Sequence, residues 1–254
     1  MANEVTTEIR DRVMIITLNR PDAMNAVNQN LANELAQALD SLDNNDQVSV
    51  GVLAGAGRGF CAGMDLKEFV SSGMPMVGDR GFGGITERAC KKPLIAAVEG
   101  FALAGGLELA LSTDLIVASK GAKFGIPEVT VGLFAGAGAL LRLPRVVPYS
   151  RAMKMALTGA PIIAEEAHEL GLVAELCEKG EALDTALQLA NQIAKNAPLA
   201  LIASKELIRE MQGRTEAEFW SHQKTQVDIV FNSEDGKEGA TAFAEKRAPN
   251  WKGS

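Results

Sequence analysis

The chain is short of the residues and runs that mark several common protein classes. Only three cysteines occur in 254 residues, Cys61, Cys90 and Cys177. Odd in number and far apart, they suggest neither a disulfide framework nor a zinc ribbon, and reduced thiols are expected. There are two histidines. His168 falls in the polar helical stretch Glu165–Gly171 and His222 in the C-terminal region, neither beside a metal-ligand pattern, so no metal is expected. No serine sits in a Gly-x-Ser-x-Gly run, which removes the nucleophile elbow. A formal net charge of −7 leaves no basic excess for a nucleic-acid face. No apolar stretch approaches the roughly 20 uncharged residues of a membrane span, and Met1–Arg12 is polar and charged rather than a secretory leader. A cytoplasmic location without membrane attachment is therefore expected. Low-complexity linkers and fixed-period repeats are also missing.

What remains is a chain with 47% hydrophobic residues, able to bury a substantial core as one large domain or one domain with an appendage. Val13–Leu18 reads as a buried strand broken by Asn19-Arg20-Pro21-Asp22. Leu31, Leu35, Ala38, Leu39 and Leu42 then fall on one helical stripe. Val48–Ala54, Leu94–Val98 and Leu115–Ala118 lack polar alternation, the pattern of strands covered on both faces. Glycine-rich turns and short helices such as Leu107–Leu111 and Ser150–Leu157, the latter closed by Gly159, lie between and after them. The architecture expected is α/β. Beyond Glu181 the pattern turns to helix upon helix, Ala182–Ala194, Leu199–Met211 after Pro198, and Glu216–Val230. This gives a division into residues 1–195, the α/β core, and 196–254, a helical C-terminal region.

Two glycine-rich stretches follow strands. Gly55–Lys67 lacks the glycine that a dinucleotide fingerprint needs where Phe60 stands, which argues against a nicotinamide site. Gly100–Ala110 runs into a helix whose first N–H groups have no intrahelical acceptor. If the Gly105 N–H converges with an amide near Met64, the pair forms an oxyanion hole; the same glycines would also serve close packing of helix on sheet. Glu108 lies in the first turn of an otherwise apolar helix, either complementing the helix dipole or facing a pocket. Burial would raise its pKa and suit it to acid–base work. Glu128 repeats the theme, one carboxylate amid apolar residues on a loop.

Six segments in order and along nearly the whole chain make it resemble the crotonase superfamily, the enoyl-CoA hydratase/isomerase family. They are Leu18-Asn19-Arg20-Pro21 through Ala26, Gly59–Leu66, Lys92–Gly100, Ala104–Leu109, Phe124–Glu128 and Ala242–Arg247. The resemblance implies a spiral of strand–strand–helix units with a helical C-terminal region that builds a homotrimer or homohexamer. It implies a lyase of the enoyl-CoA hydratase type, active on an acyl-CoA, with coenzyme A part of the substrate and no separate cofactor. Met64 and Gly105 would supply the oxyanion amides, and Glu108 and Glu128 the acid/base pair. Ala23, Met24, Ala62, Asp65 and Leu66 would line the CoA path, while Phe243 and Lys246 would reach a neighbouring subunit's CoA. Alternatives are an enoyl-CoA isomerase, a carnitinyl-CoA dehydratase-like enzyme and a non-catalytic acyl-CoA binder. The chain departs from fatty-acid hydratases at Phe134, where they typically carry proline, and at Ala139–Leu141, where they typically carry Gly-Thr-Gln. These positions are expected to flank the pocket. Ser71–Gly84, with Met74, Met76 and Phe82, is read as either an apolar wall of that pocket or a plain surface loop.

Overall fold

Apolar runs without polar alternation assemble a six-stranded sheet in the computed structural model, which describes residues 3–254; Met1 and Ala2 of the polar N-terminal segment lie outside the described residues. The sheet order is β1 (Val5–Arg10), β2 (Val13–Leu18), β3 (Val50–Gly55), β4 (Leu94–Val98), β6 (Leu115–Ser119) and β9 (Glu175–Cys177). Neighbours run parallel except β1, which pairs antiparallel with β2. A smaller sheet places β7 (Lys123–Gly125) between β5 (Phe101–Leu103) and β8 (Ile162–Ile163). The chain leaves the large sheet at the end of β4 and enters the small one at β5, then repeats the step from β6 to β7. That is the expected spiral. The helices are α1 (Gln29–Asn44), α2 (Leu66–Ser72), α3 (Gly105–Ala110), α4 (Ala139–Val146), α5 (Tyr149–Thr158), α6 (Ala164–Glu169), α7 (Ala182–Ile193), α8 (Pro198–Glu210), α9 (Glu216–Phe231) and α10 (Glu234–Glu245).

The two faces of the large sheet bury alternate residues of the same strands. Leu53 of β3 and Leu94, Ala96 and Val98 of β4 enter the main core with Leu31, Leu35, Ala38, Leu39 and Leu42 of α1. Val50, Val52 and Ala54 of β3, with Ile95 and Ala97 of β4, face the other way, onto Ala182, Ala186 and Ala190 of α7. The alanines recur every fourth residue, so one narrow stripe of small side chains lets this helix lie close to the sheet. α7 is thus part of the core, and the helices that pack chiefly on one another begin with α8 rather than at Glu181.

Besides the short strands β5, β7, β8 and β9 and the helices α2 and α4, two longer elements are absent from the sequence reading. β1 buries only Val5; pairing with β2 holds it, and its Thr-Thr-Glu-Ile-Arg pattern shows no apolar alternation to announce it. α10 contains Gly236 and Gly239, poor helix formers. Both are explained by crowding, since a Cβ would lie 2.7 Å from the Val230 carbonyl oxygen at Gly236 and 3.2 Å from the Trp251 ring at Gly239.

The α7 seam gives a stability test. Ala186 is fully buried against the sheet, and overpacking such a site costs about 1–3 kcal/mol. Ala186→Leu is expected to lower the unfolding free energy measured in urea by that amount, whereas Gln188→Leu on the same helix leaves it within about 0.5 kcal/mol. Equal effects at both positions would mean that the alanine stripe is not what seats α7.

Candidate active site

The two glycine-rich loops lie against each other. Cys61 forms a bridge with Ala102 of β5, Leu103 donates its N–H to the Cys61 carbonyl (3.0 Å), and Phe60 donates to Phe101 (3.0 Å). A Cβ on Gly106 would sit 2.1 Å from the Cys61 carbonyl oxygen, so no side chain fits there. A Cβ on Gly63 would lie 2.7 Å from the Ala104 Cβ and 3.0 Å from the Gly105 nitrogen. Glycine at 63 therefore leaves the Gly105 N–H uncovered. Ala104, just before α3, adopts φ 51° and ψ −130°, a conformation that costs a non-glycine residue of order 1–3 kcal/mol. Among the described residues, neither the Met64 nor the Gly105 N–H has an acceptor.

These amides border a cavity of about 400 Å3 whose lining includes Met64, Gly105, Glu108 and Glu128. The structure thus brings together the four residues singled out for oxyanion and proton chemistry. Glu108 is 2% exposed. Its Oε1 accepts N–H groups from Ala137 (2.7 Å) and Ala139 (3.0 Å), the second at the N-terminus of α4. Burial raises its pKa, while the two amides and the Arg142 guanidinium oppose the rise. Arg142 is itself anchored on the carbonyls of Ala137 and Thr86. The sequence reading placed Ala139 beside the pocket but not as a donor to Glu108, and it missed Ala137 and Arg142. The only signal was the run Gly136-Ala137-Gly138-Ala139, in which Gly138 takes φ 109° just before α4.

Glu128 stands in a short 3-10 turn, Pro127–Val131. Its Oε2 is buried with no hydrogen-bond partner among the described residues. Burial pushes its pKa up to about 7; its own backbone N–H opposes the rise and the charge of Glu108 adds to it. The two carboxyls therefore differ in kind. One is held by two fixed donors from a neighbouring segment, whereas the buried oxygen of the other has none.

The remaining expected positions divide. Ala62 and Leu66 line the cavity. Met24, 40% exposed, is tied to that loop through the Ala62 N–H to its carbonyl (3.0 Å), with Ala23 just before it. Asp65 does not line the cavity. Its carboxylate caps α2 through the Lys67 and Glu68 N–H groups and pairs with Arg20 (3.1 Å). Phe243, 88% exposed, lies on α10, and Lys246 closes that helix in the left-handed conformation; neither lines the cavity. Within Ser71–Gly84, Met74 and Phe82 line the cavity and Met76 does not. The three cysteines are free and buried. His168 bonds the Val173 carbonyl (2.9 Å). His222, which showed no ligand pattern in sequence, lies 3.0 Å from Glu206 and 3.2 Å from Glu210 because α8 packs on α9. Gln226 and Arg214 engage the same two glutamates, so the group forms a polar brace between the helices.

Ionisation of Glu128 links the site to stability. Its folded pKa of about 7 lies above its ordinary 4.5, so its contribution is complete below about pH 4.5 and is lost as pH rises through about 7. Glu128→Gln is expected to raise stability at about pH 8 by about 1–2 kcal/mol, allowing for partial solvent access, with no gain near about pH 4. Urea titrations at the two pH values measure it; a gain independent of pH would show that burial of this carboxyl is not the cause.

The enoyl-CoA hydratase/isomerase family model matches residues 8–254. The chain is 43% identical over 256 residues to enoyl-CoA hydratase EchA19 of Mycobacterium tuberculosis, covering 98% of this chain and 96% of that protein. It is 39% identical to the 2,3-dehydroadipyl-CoA hydratase of Escherichia coli, covering 99% of each. A crystal structure of an enoyl-CoA hydratase from M. tuberculosis superposes with a TM-score of 0.97 at 54% identity, covering 100% of both chains.

Proposed function

The chain belongs to the enoyl-CoA hydratase/isomerase family, and from that premise we propose that it is a hydro-lyase adding water reversibly across the C2–C3 double bond of a trans-2-enoyl-CoA. The observation that carries this reading is two unlike carboxyls, Glu108 and Glu128, opening into one apolar cavity beside the uncovered amides of Met64 and Gly105. An isomerase needs one carboxyl to remove and return a proton. A hydratase has work for both.

In the proposed reaction the thioester oxygen sits between the Met64 and Gly105 N–H groups. As hydroxide adds at C3, negative charge moves onto that oxygen, and fixed amides aimed at developing charge favour the transition state over the ground state. Glu108, kept ionisable by the Ala137 and Ala139 amides, accepts a proton from the attacking water. Glu128, neutral up to about pH 7, delivers its proton to C2. The substrate gains one water in total. Afterwards Glu108 holds a proton and Glu128 does not, and exchange between them or with solvent restores the pair. Their titrations are coupled, so the pH profile reports the pair. The CoA moiety runs past Ala62 and Leu66 toward Met24. The exposed apolar residues of α8 and α9, among them Ile208, Trp220 and Phe231, provide the surface for a homotrimer or homohexamer, in which Phe243 and Lys246 would meet a neighbour's CoA.

The test is loss of ultraviolet absorbance of the conjugated thioester of crotonoyl-CoA. Glu108→Gln and Glu128→Gln are each expected to lower kcat by about 100- to 10,000-fold. In the wild-type enzyme kcat/KM in the hydration direction should fall as pH rises above about 7 and Glu128 loses its proton. Absorbance retained with every enoyl-CoA, despite measurable CoA binding, would overturn the hydratase reading, and a shifted double bond in the product would favour the isomerase.

A further inference from the structure

Resting on the hydratase reading for where the thioester lies, we infer that the cavity accepts an uncharged hydrocarbon acyl chain and rejects acyl groups that carry a carboxylate or a quaternary ammonium at their far end. Away from Glu108 and Glu128 the wall is made of Leu66, Phe69, Met74, Val131, Leu133 and Phe134 with smaller apolar residues. The one other polar side chain on it is Thr130, whose hydroxyl is already donated to the Pro127 carbonyl (2.7 Å). Among the described residues, no lysine, arginine, histidine, asparagine or glutamine lines the space.

Neither nearby cation lines the cavity. Arg142 is spent on the carbonyls of Ala137 and Thr86, and Lys67, next to Leu66 on α2, lies outside the lining. A distal carboxylate entering this cavity would lose its water and gain no donor, while an ionised Glu108, and Glu128 once it loses its proton above about pH 7, add like charge. A distal ammonium meets a different obstacle. Its attraction to the glutamates would draw it toward the reacting centre, where the thioester must lie, and the far wall offers only phenylalanine rings, without the tyrosine or tryptophan faces that hold such cations best. Added methylenes gain by burial. At the usual value per methylene, affinity rises about fourfold for each until the wall is filled.

This reading separates the chain from its relative that acts on 2,3-dehydroadipyl-CoA, whose acyl group ends in a second carboxylate. It also gives the departure at Phe134 a consequence. That ring lies on the lining and is 68% exposed, carrying the apolar wall out to the mouth of the cavity.

The test is a binding measurement, which needs no turnover. Calorimetric titration with butyryl-CoA, hexanoyl-CoA, adipyl-CoA and a trimethylammonium-terminated acyl-CoA of matched length ranks the tails directly. Hexanoyl-CoA is expected to bind tightest, above butyryl-CoA, and at least about 100-fold more tightly than adipyl-CoA or the cationic thioester. Either charged tail binding within about tenfold of hexanoyl-CoA, or hexanoyl-CoA failing to exceed butyryl-CoA, would overturn the inference. Met74→Arg supplies the missing cation and is expected to improve adipyl-CoA binding by about tenfold while weakening hexanoyl-CoA; no gain for adipyl-CoA would also count against it. Hydration of crotonoyl-CoA is followed in parallel. The binding order can fail while hydration persists, and hydration can fail while the order holds, so the two readings fall separately.

Discussion

There is no room for a side chain between the loop that ends at Met64 and the loop that enters α3, and the site depends on that contact. Cys61 hydrogen-bonds along β5, Gly106 meets the Cys61 carbonyl, and Gly63 meets Ala104 and Gly105. The same closeness forces Ala104 into a backbone region that favours glycine, held there by its N–H bond to the Gly125 carbonyl (2.9 Å). Strain of this kind persists only where surrounding structure fixes it. Here the surroundings are two sheets joined by the spiral, with the loop after β3 packed along β5 of the smaller sheet. Two amides from segments about 40 residues apart in sequence come to border one cavity without any side chain to link them.

The acid–base asymmetry follows from how each glutamate's segment is anchored. Glu108 is on a helix buried to its last residue, and the chain between Gly132 and α4 folds over it so that two backbone N–H groups reach one carboxylate oxygen. The two donors oppose the rise that burial imposes on this carboxyl, since they replace part of the lost hydration. Glu128 is on a turn that ends at Gly132 and receives no donor at its buried oxygen. Desolvation then favours its neutral form. Two side chains of the same type thus meet unlike surroundings, set by backbone donors and the Arg142 guanidinium at Glu108 and by bare burial at Glu128.

Much of this was legible in the residues. The strands covered on both faces lacked alternation because α1 and α7 cover them, and isolated carboxylates in apolar segments pointed to Glu108 and Glu128. The order of six short segments resembled a family closely enough to imply the spiral. The brace at His222 was not legible, because its partners Glu206 and Glu210 belong to another helix and meet it only when α8 and α9 pack. Nor was the grip of Ala137 and Ala139 on Glu108, since alanine contributes only a backbone N–H there and every residue but proline has one. β1 and α10 escaped for a related reason. Backbone pairing sustains the first, and glycines imposed by close neighbours weaken the helical signature of the second.

That backbone grip explains how the chain can depart from the hydratase pattern beside Glu108 without disturbing how this carboxylate is held. Residues 139–141 carry Ala-Leu-Leu where the resemblance leads one to expect Gly-Thr-Gln. Ala139 meets Glu108 through its N–H, and Leu140 and Leu141 turn outward, 46% and 55% exposed. The side chains at 140 and 141 are therefore free to vary while the N-terminus of α4 continues to hold the carboxylate, whereas Ala139 is fully buried in the core and has room only for a small side chain. Phe134 is equally removed from the protons, since it borders the cavity at its exposed mouth. Chemistry fixed through the backbone and selectivity carried by side chains are separable in this fold, and the departures fall on the side-chain part.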